Sequence, residues 1–138
     1  MKLFKDLSYT FYLCNRWNNR GGRLLAMKIM TITNIIHSSD ISCEANIGTN
    51  VRFGHGGIGI VIHGKASIGN DCYIMQGVTI GGKKGGYPVI GNNVTVGTNS
   101  VVLGEVHIGN NSTIGALSLV IRDVESNVIA AGIPTKII

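Results

Sequence analysis

Aromatic side chains make up only 6% of this 138-residue sequence and charged ones 14%, while glycine reaches 20 residues. So few charges exclude the solvated chain of a disordered protein, and the glycine content fits a solenoid. Cysteine is scarce too. Three cysteines, odd in number and without paired spacing, exclude a disulfide framework and fit a reducing cytosol. No apolar run is long enough to span a bilayer. Lys and Arg interrupt every apolar stretch of the first 30 residues, which argues against a signal peptide.

What is present is a beat of six. Aliphatic or aromatic residues recur at Ile35, Ile41, Ile47 and Phe53, then Ile62, Ile68, Ile74 and Ile80, then Ile90, Val96, Val102, Ile108, Ile114 and Val120. Four places after most of them comes a small or β-branched residue, such as Ala45, Ala66, Cys72, Val78, Val94, Ser100 or Ser118. Such a period marks an all-β solenoid, a parallel β-helix whose three short strands per 18-residue coil stack aliphatic side chains inside a triangular prism. Alternating strands of a sandwich do not produce it. About five coils fit between residues 32 and 124, above the roughly three that a solenoid needs. Glycine follows the beat at Gly48, Gly69, Gly81, Gly91, Gly97, Gly109 and Gly115, which predicts a corner conformation that Cβ forbids.

Residues 1–31 stand outside the beat. They hold Lys2, Lys5, Arg16, Arg20, Arg23 and Lys28 against Asp6 alone, so the whole net charge of +5 lies there and the rest of the chain is neutral. With Phe4, Tyr9, Tyr12, Trp17, Leu24 and Leu25 they read as one or two helices broken at Gly21-Gly22. Such a segment caps the open first coil, whose strand edges need cover. Its basic, aromatic surface also suits contact with anionic lipid or a phosphate-bearing glycan carrier. No motif for nucleic acid accompanies the charge.

The beat slips twice, by a step of nine residues between Phe53 and Ile62 and of ten between Ile80 and Ile90. Extra residues cannot enter a packed wall, so both insertions bulge outward as loops, where function concentrates. The first reads Gly54-His55-Gly56-Gly57-Ile58-Gly59. Glycine on both sides of His55 clears space for a substrate, and an unperturbed imidazole pKa of about 6.5 suits a general base. The second loop reads Gly81-Gly82-Lys83-Lys84-Gly85-Gly86-Tyr87-Pro88. His37, His63 and His107 are expected at surfaces or corners.

The repeat from Ile35 to Val124, the stretch His55-Gly-Gly-Ile-Gly-Ile-Val-Ile, the run Gln76-Gly-Val-Thr-Ile-Gly-Gly82 and the tail Ala130-Ala131-Gly132-Ile133-Pro134-Thr135-Lys136 resemble the hexapeptide-repeat acyltransferases. Closest are the serine acetyltransferases and the enzymes that O-acetylate surface polysaccharides. The resemblance implies a left-handed helix, although parallel crossovers are generally right-handed. It also implies a homotrimer with active sites between subunits, acetyl-CoA as co-substrate and no metal. His55 falls at the family's catalytic histidine. Asp40, fifteen residues earlier, falls at the carboxylate that orients it. Gly82, Thr98, Ala116, Arg122 and Lys136 fall at cofactor-binding places, so the tail 125–138 contributes to the CoA site. The related γ-type carbonic anhydrases bind zinc through three histidines at the subunit boundary, two of them five residues apart, and no pair here has that spacing.

Two departures bear on the acceptor. Serine acetyltransferases carry Asp before the catalytic His, where this chain has Gly54, and Arg-His before the second loop's Pro, where it has Gly86-Tyr87. An amino acid needs charged partners for its carboxylate and ammonium; a sugar hydroxyl needs an open polar cleft, to which Gly54 and Tyr87 are the candidate contributors. The expected function is therefore O-acetylation of a carbohydrate, from capsule, O-antigen or a precursor, by a cytoplasmic enzyme working at or near the membrane's inner face. Serine O-acetylation is the alternative, and a non-catalytic scaffold a third reading.

Overall fold

In the computed structural model, residues 7–18 and 21–138 are described. Lys2, Phe4, Lys5, Asp6 and Arg20 of the basic segment lie outside them. Helix α1 (Leu7–Asn18) and helix α2 (Arg23–His37) pack together on the first coil of a three-faced prism. The turn between them holds Gly21 at φ +84, where the sequence places the break.

The first face stacks strands carrying Ile41, Ile62, Ile80, Val102 and Val120 in direct parallel register. The second stacks Ile47, Ile68, Ile90 and Ile108, and the third Phe53, Ile74, Val96, Ile114 and Ala130. Every one of these side chains is buried, so the six-residue beat is the inward column of a left-handed parallel β-helix. Interior serines are satisfied by the neighbouring rung. Ser100 Oγ donates to Gly115 O at 2.8 Å and accepts from Ser118 N at 3.2 Å.

Five expectations are corrected. Ile35 is not a core residue but lies 73% exposed near the end of α2. The helix runs on to His37, past the boundary expected at 31, and its buried stripe is Ala26, Met30, Thr33 and His37 at helical spacing. His37 is thus buried, where a corner position was expected. At the other end, the solenoid does not stop at Val124. Ile129–Ala131 adds another parallel rung to the third face, and Lys136–Ile137 folds back antiparallel on it.

The fifth correction concerns the glycines after the beat. Those at 48, 69, 81, 91, 97, 109 and 115 do not adopt positive φ. After six of the seven the left-handed residue stands two places later, at Asn50, Asp71, Asn93, Asn99, Asn111 and Leu117, and Asn and Asp tolerate that region best among residues with a side chain. Glycine is needed for approach instead. A Cβ on Gly69 would lie 2.6 Å from Gly91 O, and one on Gly97 2.5 Å from Ala116 N.

The edge between the second and third faces is a ladder of asparagines. Asn92 Oδ1 accepts from Asn70 N at 2.8 Å, and Asn110 Oδ1 from Asn92 N at 2.7 Å. Beside it Asn93 donates to Asn111 and Asn111 to Asn127, each at 3.0 Å. The open top is closed by α2. Asn34 Nδ2 donates to Ile41 O at 3.1 Å while its Oδ1 accepts from Ile41 N at 3.3 Å, so one carboxamide pairs the first strand as a further strand would. The cap expected of this segment thus has a specific contact.

Cys14 and Cys72 are buried. Burial, reinforced by the nearby Cys43 thiol, pushes the Cys14 thiol up to about 11, and burial raises Cys72 as well. Both stay protonated at pH 8, and the thiolate is the reactive form. Native protein treated with a thiol reagent at pH 8 is expected to react quickly at Cys43 alone, the other two appearing on unfolding. Three fast equivalents would contradict this packing.

Candidate active site

Both insertions lie on edges of the first face, but on opposite ones. Residues 54–59 bridge the third face to the first, and residues 81–88 bridge the first to the second. The strand between them crosses from Gly59 to Gly64, so the loops stand roughly 15 Å apart on one prism.

At the first edge the chain leaves Phe53 in extended conformation and enters a tight turn. His55 adopts φ 50, ψ 40, and Gly56, Gly57 and Gly59 follow at φ +72, +84 and +68. A histidine in the left-handed region carries strain, which concentrates at functional positions. Here glycine does supply positive φ, so the arch turns outward and leaves the imidazole exposed. The arch is braced from outside by α1 and from below by the next coil. Gly77 N donates to Ile58 O at 2.9 Å, and a Cβ on Gly54 would lie 3.2 Å from Met75 Cα. Gly54 thus has a packing role.

Register sorts the other candidates. Thr98 and Ala116 occupy the same corner place as His55 in later coils, each two residues past the inward column of the third face. Asp40 begins the first strand of the first face, paired with Val61, beside the point where Gly59 N donates to His37 O at 3.2 Å. His55, Asp40, Thr98 and Ala116 therefore share one edge. Among the described residues, no ion pair or hydrogen bond joins Asp40 to His55.

Gly82, Tyr87 and Arg122 belong to the opposite edge, and Lys136 sits in the terminal strand on the third face. Tyr87 is half-buried, its ring stacked on His63 with centroids 4.7 Å apart and with Lys65 Nζ 5.2 Å from its centroid. Gly82 makes room for that ring, since a Cβ there would lie 2.6 Å from Tyr87 Cε1. His63 Nδ1 accepts from Lys65 N at 3.1 Å, which leaves its Nε2 as the outward nitrogen. The beat gave no sign of this stack, because it joins residues of successive coils. Arg122 is exposed in the corner between Val120 and Val124, beside Asp123, whose Oδ1 accepts from His107 N at 2.8 Å. Among the described residues, no three His, Cys, Asp or Glu side chains cluster as metal ligands, and no helix is long and apolar enough to cross a membrane.

Residues 87–122 match the family described as bacterial transferase hexapeptide (six repeats). A probable serine acetyltransferase 2 of Oryza sativa is 40% identical over 124 residues, covering 87% of this chain and 35% of the relative. A Brucella abortus serine acetyltransferase solved in complex with coenzyme A superposes with a TM-score of 0.85 at 29% identity, over 94% of this chain and 53% of that one. Soybean serine acetyltransferase complexed with serine gives 0.82 at 31%, over 93% and 54%. The chain spans about half the length of these structures and a third of the rice relative. The prism thus carries the bacterial transferase hexapeptide repeat and is similar in sequence and fold to the serine acetyltransferases.

Proposed function

We propose that this chain is an acetyl-CoA-dependent O-acetyltransferase in which His55 is the general base. The observation that carries the reading is His55 itself, a strained and exposed imidazole on an otherwise glycine and isoleucine arch, in a fold shared with a coenzyme A complex. An alcohol is hardly nucleophilic at neutral pH. His55 takes its proton as the oxygen attacks the thioester carbon, then returns that proton to the departing thiolate. Asp40, on the same edge, is the orienting carboxylate, engaging the second ring nitrogen once substrates close the site. Neither insertion holds a serine or cysteine, which supports direct attack within a ternary complex.

CoA runs along the first edge past Thr98 and Ala116. Lys136, paired with Ala131 on the third face, borders this edge, whereas Gly82 and Arg122 lie on the opposite one, so their joining this site requires the opposite edge of a neighbouring copy, as in a homotrimer with shared sites. Arg122 and Lys136 then meet the phosphates as fixed cations. The enzyme is cytoplasmic, and exposed Arg16 on α1 and exposed Lys28, Leu24 and Ile35 on α2 are available for peripheral lipid contact, while Arg23 is paired with Glu44 Oε1 at 3.0 Å.

Two acceptors are in play. The relatives are named for serine, which supports L-serine over the carbohydrate expected from sequence. A specific observation favours the carbohydrate as second reading. Gly54 and Gly86-Tyr87 carry no charge for an amino acid's ammonium and carboxylate, and Tyr87 is already engaged by His63 and Lys65. Release of CoA thiol from acetyl-CoA, followed with L-serine and with a panel of mono- and oligosaccharides, decides between them. Serine-dependent release selects the first, and glycan-dependent release with none for serine selects the second. Failure to bind acetyl-CoA would leave only a scaffold.

A further inference from the structure

The arch that presents His55 rests on the next coil at two points, Met75 under Gly54 and Gly77 bonded to Ile58. Gln76 is the residue between them. Phe53 pairs with Ile74, so Gln76 stands two residues past its rung as His55 does past its own, one strand spacing of about 4.8 Å further along the same edge. Gln76 Oε1 is buried with no hydrogen-bond partner, and among the described residues its amide nitrogen makes none either. Oε1 is the buried end of the carboxamide, so the amide nitrogen is the end left open, a donor without an acceptor among the described residues. An unpaired polar side chain at such a place is uncommon in folded proteins. Its free N–H is available to an oxygen of a ligand.

The proposed reaction has one unfilled requirement at this edge. As the hydroxyl oxygen bonds to the thioester carbon, the carbonyl oxygen becomes an anion and needs a donor. His55 is occupied with the proton it has taken, and Asp40 is an acceptor. A base and an oxyanion donor serving one carbon stand within roughly 8 Å of each other, since each lies about 3 Å from its own oxygen. Gln76, one rung away, meets that limit. Thr98, two rungs or about 9.6 Å along, does not.

We infer that Gln76 is a catalytic residue, its carboxamide N–H donating to the thioester carbonyl oxygen of bound acetyl-CoA and holding the oxyanion of the tetrahedral intermediate. This rests on the acetyl-transfer reading. The hydroxyl O–C bond forms as His55 takes the proton, then the C–S bond breaks and the thiolate leaves with that proton. Gln76 exchanges no proton at any stage.

The test needs no knowledge of the acceptor. Acetyl-CoA labelled with carbon-13 at its carbonyl is bound to the protein and its stretch read by isotope-edited infrared spectroscopy. In the wild type the band is expected to move to lower frequency on binding. Gln76→Leu is expected to return it to the free position while CoA affinity, read by calorimetry, stays within about threefold. The isosteric Gln76→Glu should lose the shift too, and covers the case in which leucine disturbs folding. With an acceptor in hand, kcat should fall about 10²- to 10³-fold at unchanged KM. A shift that persists in both variants, or is absent from the wild type, overturns the role of Gln76 alone. Wild-type protein that does not bind acetyl-CoA overturns the acetyl-transfer reading and this inference with it.

Discussion

Replacing His55 with asparagine is expected to lower kcat for acetyl transfer by about 10²- to 10⁴-fold, the range that a single general base supplies. Asparagine is the informative substitution because His55 sits at φ 50, a region asparagine adopts with little strain and alanine does not. The side chain is exposed, so no core packing is lost. Melting temperature and CoA affinity should therefore hold while turnover collapses. What survives is the part of catalysis owed to binding and to the oxyanion donor, which do not need the base. A variant that kept more than about a tenth of wild-type kcat would remove His55 from the chemistry and leave its strained backbone to the fold alone.

The prism was legible because a stacked solenoid repeats one physical demand at every coil. Ile41 through Val120 answer it, and each is buried where the beat predicts. Ile35 matches the beat by distance alone, since in a helix its face is set by Ala26, Met30, Thr33 and His37. Position in the repeat also located both loops, because a packed wall admits no extra residue. It could not assign the loops to opposite edges of the first face, a matter of which corner each insertion interrupts. His63 meeting Tyr87 follows from that corner, as does Gln76 standing between the two supports of the arch. An orphaned carboxamide leaves no mark in a sequence, where Gln76 reads only as part of a familiar run.

Gly69→Ala is expected to destabilise the prism by about 3 kcal/mol, a fall of about 10 °C in melting temperature. The added Cβ would lie 2.6 Å from Gly91 O and 2.7 Å from Gly91 C, both backbone atoms of the next coil. Those atoms cannot yield singly. Gly69 N donates to Ile90 O, and Gly91 N to Ile108 O, each at 2.8 Å, so relief means parting two rungs and weakening the bonds between them. Asn92 Oδ1, 2.5 Å from the same Cβ, is held by Asn70 N. Gly81→Ala is the matched control. It occupies the same place after the beat, also without positive φ, yet its Cβ would meet only Leu103 Cδ2 at 3.0 Å and Thr79 Cγ2 at 4.0 Å, the ends of side chains that can turn aside. Its cost should stay below about 1 kcal/mol. Equal losses at both positions would return these glycines to a conformational role. A large loss at Gly69 alone makes them the contact points that set how closely successive coils stack, and through the coil beneath it, how firmly the arch bearing His55 is held.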